Sequence, residues 1–66
     1  MVSGRFPTLD EAMAAHIEAA LERTQGRIEG PAGAAQLLDI NPHTLRSRMR
    51  KLGVDATVVR QRFRYA

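Results

Sequence analysis

The chain of 66 residues has no cysteine and no tryptophan, and its aromatics are one tyrosine and two phenylalanines. Without cysteine there is no disulfide to staple a small fold, no thiol nucleophile and no thiolate zinc site. His16 and His43 have no second ligand at metal spacing, so no metal is expected. There is no Gly-rich phosphate loop and no carboxylate pair in an identifiable cleft, so neither an enzyme nor a cofactor is expected. No apolar run approaches the roughly 18 residues of a membrane span, and no signal-peptide pattern opens the chain. The expectation is a soluble cytoplasmic domain with no membrane partner. A single core in so short a chain supplies about 3 to 5 kcal/mol, and with staples excluded, oligomerisation is the remaining support.

Charge is present and unevenly placed. The overall balance is +3. Residues 1–33 carry Arg5, Arg23 and Arg27 against Asp10, Glu11, Glu18, Glu22 and Glu29, a net −2. Residues 34–66 carry Arg46, Arg48, Arg50, Lys51, Arg60, Arg62 and Arg64 against Asp39 and Asp55, a net +5. The split suggests that one end meets a polyanion, and charge alone is equally consistent with a solvated basic face.

Residues 1–7, "MVSGRFP", have no periodicity and read as a linker or an expression remnant. Thr8 and Glu11 then form the T-x-x-E capping box, with Asp10 and Glu11 in the first turn where the helix dipole favours anions. Leu9, Met13, Ile17 and Leu21 follow at i+4 steps until Thr24-Gln25-Gly26 ends the helix. Its apolar stripe, flanked by Ala12, His16 and Ala20, is wider than the roughly 100° that one small core needs. The excess is expected to cover a second copy of the chain, with Met13, Ile17, Ala20 and Leu21 at the dimer interface. His16 reads as a packing or interface residue.

Gly30 and Pro31 suggest the start of a short second helix running to about Leu38, rich in small residues that permit close helix approach. Asp39-Ile40-Asn41 makes a turn with Ile40 as its buried plug. Asn41 caps a third helix over about 42–52, Pro42 suits its first position, and Gly53 ends it with Val54 folding back. On that helix Leu45, Met49 and Leu52 share one face. His43, Thr44, Ser47, Arg50 and Lys51 occupy the opposite arc, and Arg46 and Arg48 lie on the flanks. A greasy inner face and a cationic, hydroxylated outer face suit a helix in a DNA major groove, where phosphates flank the helix and base edges line the floor.

The stretch "GAAQLLDINPHTLRSRMRKLGV", preceded by "TLDEAMAAHIEAALERTQG", resembles the Fis-type helix-turn-helix that ends many NtrC-type bacterial enhancer-binding activators. The resemblance covers about residues 8–54 and is carried by A-A-x-L-L-x-I-N-x-x-T-L-R-x-x-x-x-K-L-G. It implies an all-α domain with a long first helix, a C-terminal helix-turn-helix and a dimeric state. It also implies that the domain tethers a sigma-54-type AAA+ ATPase, as part of the parent protein, to upstream DNA; nothing here resembles that ATPase. By position, Asn41, Thr44, Arg46, Arg48, Arg50 and Lys51 match family residues that touch DNA. Helix geometry adds His43 and Ser47. Base reading is assigned to Asn41, His43, Arg46 and Ser47, and phosphate binding to Thr44, Arg48, Arg50 and Lys51. Two positions depart from the pattern: Asp39 fills a turn position usually held by glycine, and Pro42 stands where the founding member has arginine.

Residues 55–66, "DATVVRQRFRYA", form a basic tail of uncertain structure. Val59, Gln61, Phe63 and Tyr65 alternate with Arg60, Arg62 and Arg64 as in a strand, while Val59 and Phe63 also suit a helix begun at Asp55. The tail could extend the phosphate footprint, cover the core or lie disordered as a basic arm. The leading expectation is sequence-specific double-stranded DNA binding by a homodimer at a near-palindromic site, on the bacterial nucleoid when bound. The alternative is a basic helical module that binds RNA or another protein. Membrane-surface binding would need apolar anchors beside the cations, and the third helix turns its apolar residues inward.

Overall fold

The computed structural model describes residues 6–64, with side chains from 6 to 61. Of the linker expected over residues 1–7, the first five therefore lie outside the described residues. The architecture is all-helical: α1 Leu9–Arg23, α2 Ala34–Leu37, α3 Pro42–Leu52 and α4 Ala56–Arg64. α1 packs against each of the other three helices, and α2 packs on α3.

α1 begins at its capping box, with the Thr8 hydroxyl accepting the Glu11 N–H at 3.1 Å and the Glu11 carboxylate accepting the Thr8 N–H at 2.9 Å. It ends in a Schellman motif. Gly26 N–H donates to the Leu21 carbonyl at 2.7 Å and Gln25 N–H to that of Glu22 at 3.3 Å, with Gln25 left-handed at φ 57°. The Thr24 hydroxyl lies within hydrogen-bond distance of the carbonyls of Ala20 and Arg27 and donates its one proton to either.

α2 is shorter than its composition suggests. Gly30-Pro31-Ala32 is a turn, closed by Gly33 N–H on the Gly30 carbonyl, and the helix starts only at Ala34. Its N-cap, Gly33, has no side chain to satisfy the first amides. The carbonyls of Arg27 and Ile28 do so instead, accepting from Ala34 at 2.8 Å and Ala35 at 3.1 Å. The preceding loop is thereby laid directly across Gly33. A Cβ there would sit 2.4 Å from the Ile28 carbonyl oxygen and 2.5 Å from that of Glu29, so only glycine fits. The turn into α3 repeats the motif that ends α1: Ile40 N–H bonds Ala35, Asp39 N–H bonds Gln36, and Asp39 is left-handed at φ 59°.

α3 follows its sequence signals closely. The Asn41 side chain accepts the His43 N–H at 2.8 Å, Pro42 occupies the first turn, and Gly53 is left-handed. Val54 N–H then bonds the Met49 carbonyl, and its side chain turns into the core.

The tail resolves in favour of the helix. Asp55 accepts the Thr57 N–H at 2.8 Å and caps α4, which buries Ala56 and Val59 against α1. The Arg60 guanidinium donates to the Gly26 carbonyl at 2.9 Å. The side chains of Arg62, Phe63 and Arg64, and Tyr65, lie outside the described residues.

The core draws on all four helices: Ile17, Ala20 and Leu21 of α1, Ala34 and Ala35 of α2, Leu45 and Met49 of α3, and Val54, Ala56 and Val59 beyond it. Leu21 and Leu45, both 0% exposed, form its centre. The wide apolar stripe of α1 is thus largely explained within one chain, because three neighbours cover it. Of the residues expected at a dimer interface, Ile17, Ala20 and Leu21 are at most 5% exposed within the single chain, and Met13 is half-buried.

Candidate nucleic-acid interface

α3 is held by Leu45 and Met49, both buried, and by the half-buried Leu52 one turn on. With those three residues inward, the rest of the helix is fixed in rotation by the 3.6-residue repeat. His43, Thr44, Arg46, Ser47, Arg48, Arg50 and Lys51 are all exposed, as is Asn41 before the helix. All eight residues assigned to DNA are therefore on the surface, and seven of them share one helix. His43, Thr44, Ser47, Arg48 and Lys51 border one hollow along its outer face. The carbonyl end of the Asn41 amide is used by the cap, leaving its NH2 group for a partner.

Arg46 is not a bare cation. Its guanidinium pairs with the carboxylate of Glu29, which projects from the loop before α2. The two side chains are 47% and 60% exposed, so water screens the pair and DNA can compete for the arginine. On the other flank Arg48 reaches the rim of a groove of about 440 Å³ lined by Ala12, Met13, His16, Leu38 and Ile40.

Sequence reasoning missed the surroundings of Arg46. Arg23, Arg27 and Arg60 border the same open hollow as Arg46 and Glu29. Arg23 and Arg27 fall in the acidic half of the chain, and no periodicity connects a loop residue with a helix 30-odd residues away. Among the described residues no cluster of His, Asp and Glu could hold a metal ion, and no helix is long and apolar enough to cross a membrane.

The succession of a capped long helix, a short helix, a left-handed turn and a two-faced basic helix also matches a family model. The bacterial regulatory protein, Fis family, model aligns with residues 8–52, from the capping box of α1 to the end of α3. The chain belongs to that family. Fis-type helix-turn-helix domains bind DNA and are not catalytic, and α3 is the second helix of that motif. Among curated proteins, the formate hydrogenlyase transcriptional activator of Escherichia coli strain K12 is 46% identical over 39 residues, which is 59% of this chain and 6% of that protein. The Fis-family chain thus spans a small fraction of the length of the relative it matches. No solved structure gives a significant match. Both Asp39 and Pro42, the departures noted in the motif, are accommodated: Asp39 takes the left-handed turn conformation, and Pro42 occupies a position where the missing N–H has no intrahelical partner to lose.

Proposed function

We propose that the chain binds a specific double-stranded DNA sequence as a homodimer, placing α3 in the major groove, and that it is the DNA-tethering domain of a sigma-54-dependent transcriptional activator. The observation that carries the reading is the division of α3, apolar toward the core and cationic with short polar groups toward solvent. Asn41, His43, Arg46 and Ser47 then read base edges, and Thr44, Arg48, Arg50 and Lys51 hold phosphates. The activator role rests on the likeness to the formate hydrogenlyase transcriptional activator, and in that setting an AAA+ ATPase domain is the covalent neighbour of this one.

The dimer reading is supported by exposed apolar residues toward the N-terminal end of α1. Phe6 is 94% and Leu9 76% exposed, and Leu9, Ala12, His16 and Ala19 lie on one strip beside the half-buried Met13. A two-fold pair would set two copies of α3 about 34 Å apart, one turn of B-DNA, over a near-palindromic site.

The test is selection of duplexes from a random pool, followed by titration against the selected duplex, a scrambled duplex, single-stranded RNA and anionic vesicles. Arg48, Arg50 and Lys51 with Arg46 give roughly 4 to 8 ionic contacts per dimer, so log K should fall with log salt at a slope of about −4 to −7. Equal affinity for selected and scrambled duplexes would refute sequence reading. A folded monomer at high micromolar concentration that keeps full affinity would refute the dimer.

A further inference from the structure

The hollow around Arg46 gathers positive charge from four parts of the chain. Arg23 ends α1, Arg27 belongs to the following loop, Arg46 stands on the flank of α3 and Arg60 lies on α4. These four arginines come from four separate parts of the chain and border one open hollow of about 970 Å³. Among the described residues Glu29 is the only carboxylate on its lining. Like charges brought together repel, and four arginines with one acid leave a local excess of three. Arg46 and Arg60 have contacts within the fold, with Glu29 and the Gly26 carbonyl, and the convergence of all four suits a polyanion.

We infer that this hollow is a second phosphate-binding surface, which grips the sugar-phosphate backbone of the same duplex outside the segment that α3 reads. The inference rests on the DNA-binding reading above. Arg46 joins the two surfaces, since it belongs both to the reading helix and to the rim of the hollow. Cations from α1, the following loop, α3 and α4 thus border one hollow, with Glu29 between them on its lining. The hollow is wide and open to solvent, which fits an extended backbone with successive charges better than a single caged anion. Arginine forks suit phosphate oxygens, and contacts of this kind set affinity and position without reading sequence.

The Arg60 contact explains how the surface is held. The Arg60 stem lies against Gly26, where an added Cβ would come within 2.9 Å of the Arg60 Cβ, and its guanidinium donates to the Gly26 carbonyl. α4 is thereby locked beside the loop that carries Arg27. Arg23, Arg27 and Arg46 lie within the residues that the family model matches, and Arg60, on α4, lies beyond them.

The experiment uses the whole chain and its Arg27→Gln/Arg60→Gln variant, with Arg27→Gln alone as a second variant because that side chain is exposed. Circular dichroism checks that each is folded. The probe is the selected duplex in two lengths, one of about two helical turns and one of about four, with the selected segment central in each. At a slope of about 0.9 per phosphate, each contact removed weakens binding roughly 5-fold per protomer at 0.15 M salt. On the long duplex Arg27→Gln is expected to lose about that factor and the double variant about 25-fold, with the salt slope shallower by up to about 2 per protomer. On the short duplex the variants should bind like the wild type. Undiminished affinity of a folded Arg27→Gln chain for the long duplex would overturn the inference, as would equal losses at both lengths. Failure of the DNA-binding reading looks different: there the wild type itself would not distinguish the selected duplex from a scrambled one at either length.

Discussion

Replacing Glu29 with glutamine separates what the ion pair does for the fold from what it does to DNA binding. Glu29 and Arg46 retain 60% and 47% of their side-chain exposure, and a pair so open to water contributes about 0.2 to 1 kcal/mol to stability. Glu29→Gln keeps the shape and should therefore lower the unfolding free energy by no more than that. Binding should move the other way. When α3 enters a groove, Arg46 must exchange the Glu29 carboxylate for phosphate or base, and the abandoned carboxylate then faces a polyanion. Removing the charge returns the pair's 0.2 to 1 kcal/mol to binding, which is about a 1.4- to 5-fold gain in affinity per protomer. The gain should be larger at low salt, because screening acts on exposed charges first. Urea denaturation gives the first quantity and fluorescence anisotropy with the selected duplex gives the second, at several salt concentrations. Affinity that stays flat or falls at low salt in a folded Glu29→Gln chain would show that Arg46 does not leave its partner, and the assignment of Arg46 to DNA would be lost.

Gly33→Ala should cost about 3 kcal/mol or more, since its Cβ would strike the carbonyl oxygens of Ile28, which caps α2, and of Glu29; a melt close to wild type would refute the backbone-cap account. Asp39→Gly should stabilise by about 1 kcal/mol, because it relieves a left-handed non-glycine residue, and raise the melting temperature by roughly 4 to 8 °C; a lower melting temperature would mean that the Asp39 side chain does something useful there. Deleting residues 55–66 removes Ala56 and Val59 from the core and uncovers part of α1. Burying a valine is worth about 1.5 to 3 kcal/mol against a total of about 3 to 5, so the shortened chain should lose a third or more of its stability and melt at a clearly lower temperature by circular dichroism. A melting temperature equal to that of the whole chain would show α4 to be dispensable.

The helix boundaries of α1 and α3 were legible because local chemistry sets them: Thr8 with Glu11, Asn41 with Pro42, and Gly53 are signals that act over three or four residues. The outward set on α3 was legible for the same reason, since one heptad of spacing orients every side chain. α2 was placed too early because Gly30-Pro31 imitates a helix start, while the actual cap is made by carbonyls of Arg27 and Ile28, which leave no trace in side-chain identity. α4 was ambiguous because alternation of apolar and charged residues over so few positions serves strand and helix alike. What decided it was tertiary, the uncovered side of α1 that Val59 fills. Stripe width measures how much is covered and not by what: α2, α3 and α4 of the same chain all pack on α1.

The two faces of α3 also bear on how such a domain diversifies. Leu45 and Met49 alone of that helix are buried, and Asn41 and Gly53 hold its ends. Exposed residues between them can be exchanged while the buried positions stay constant, so changes in binding preference need not pass through unstable ancestors. Regulators descended from one gene duplication could then diverge in target by drifting across a nearly level stability landscape. The exception is position 46, where the side chain answers to Glu29 as well as to the target, so lineages that change it should be found to change position 29 with it.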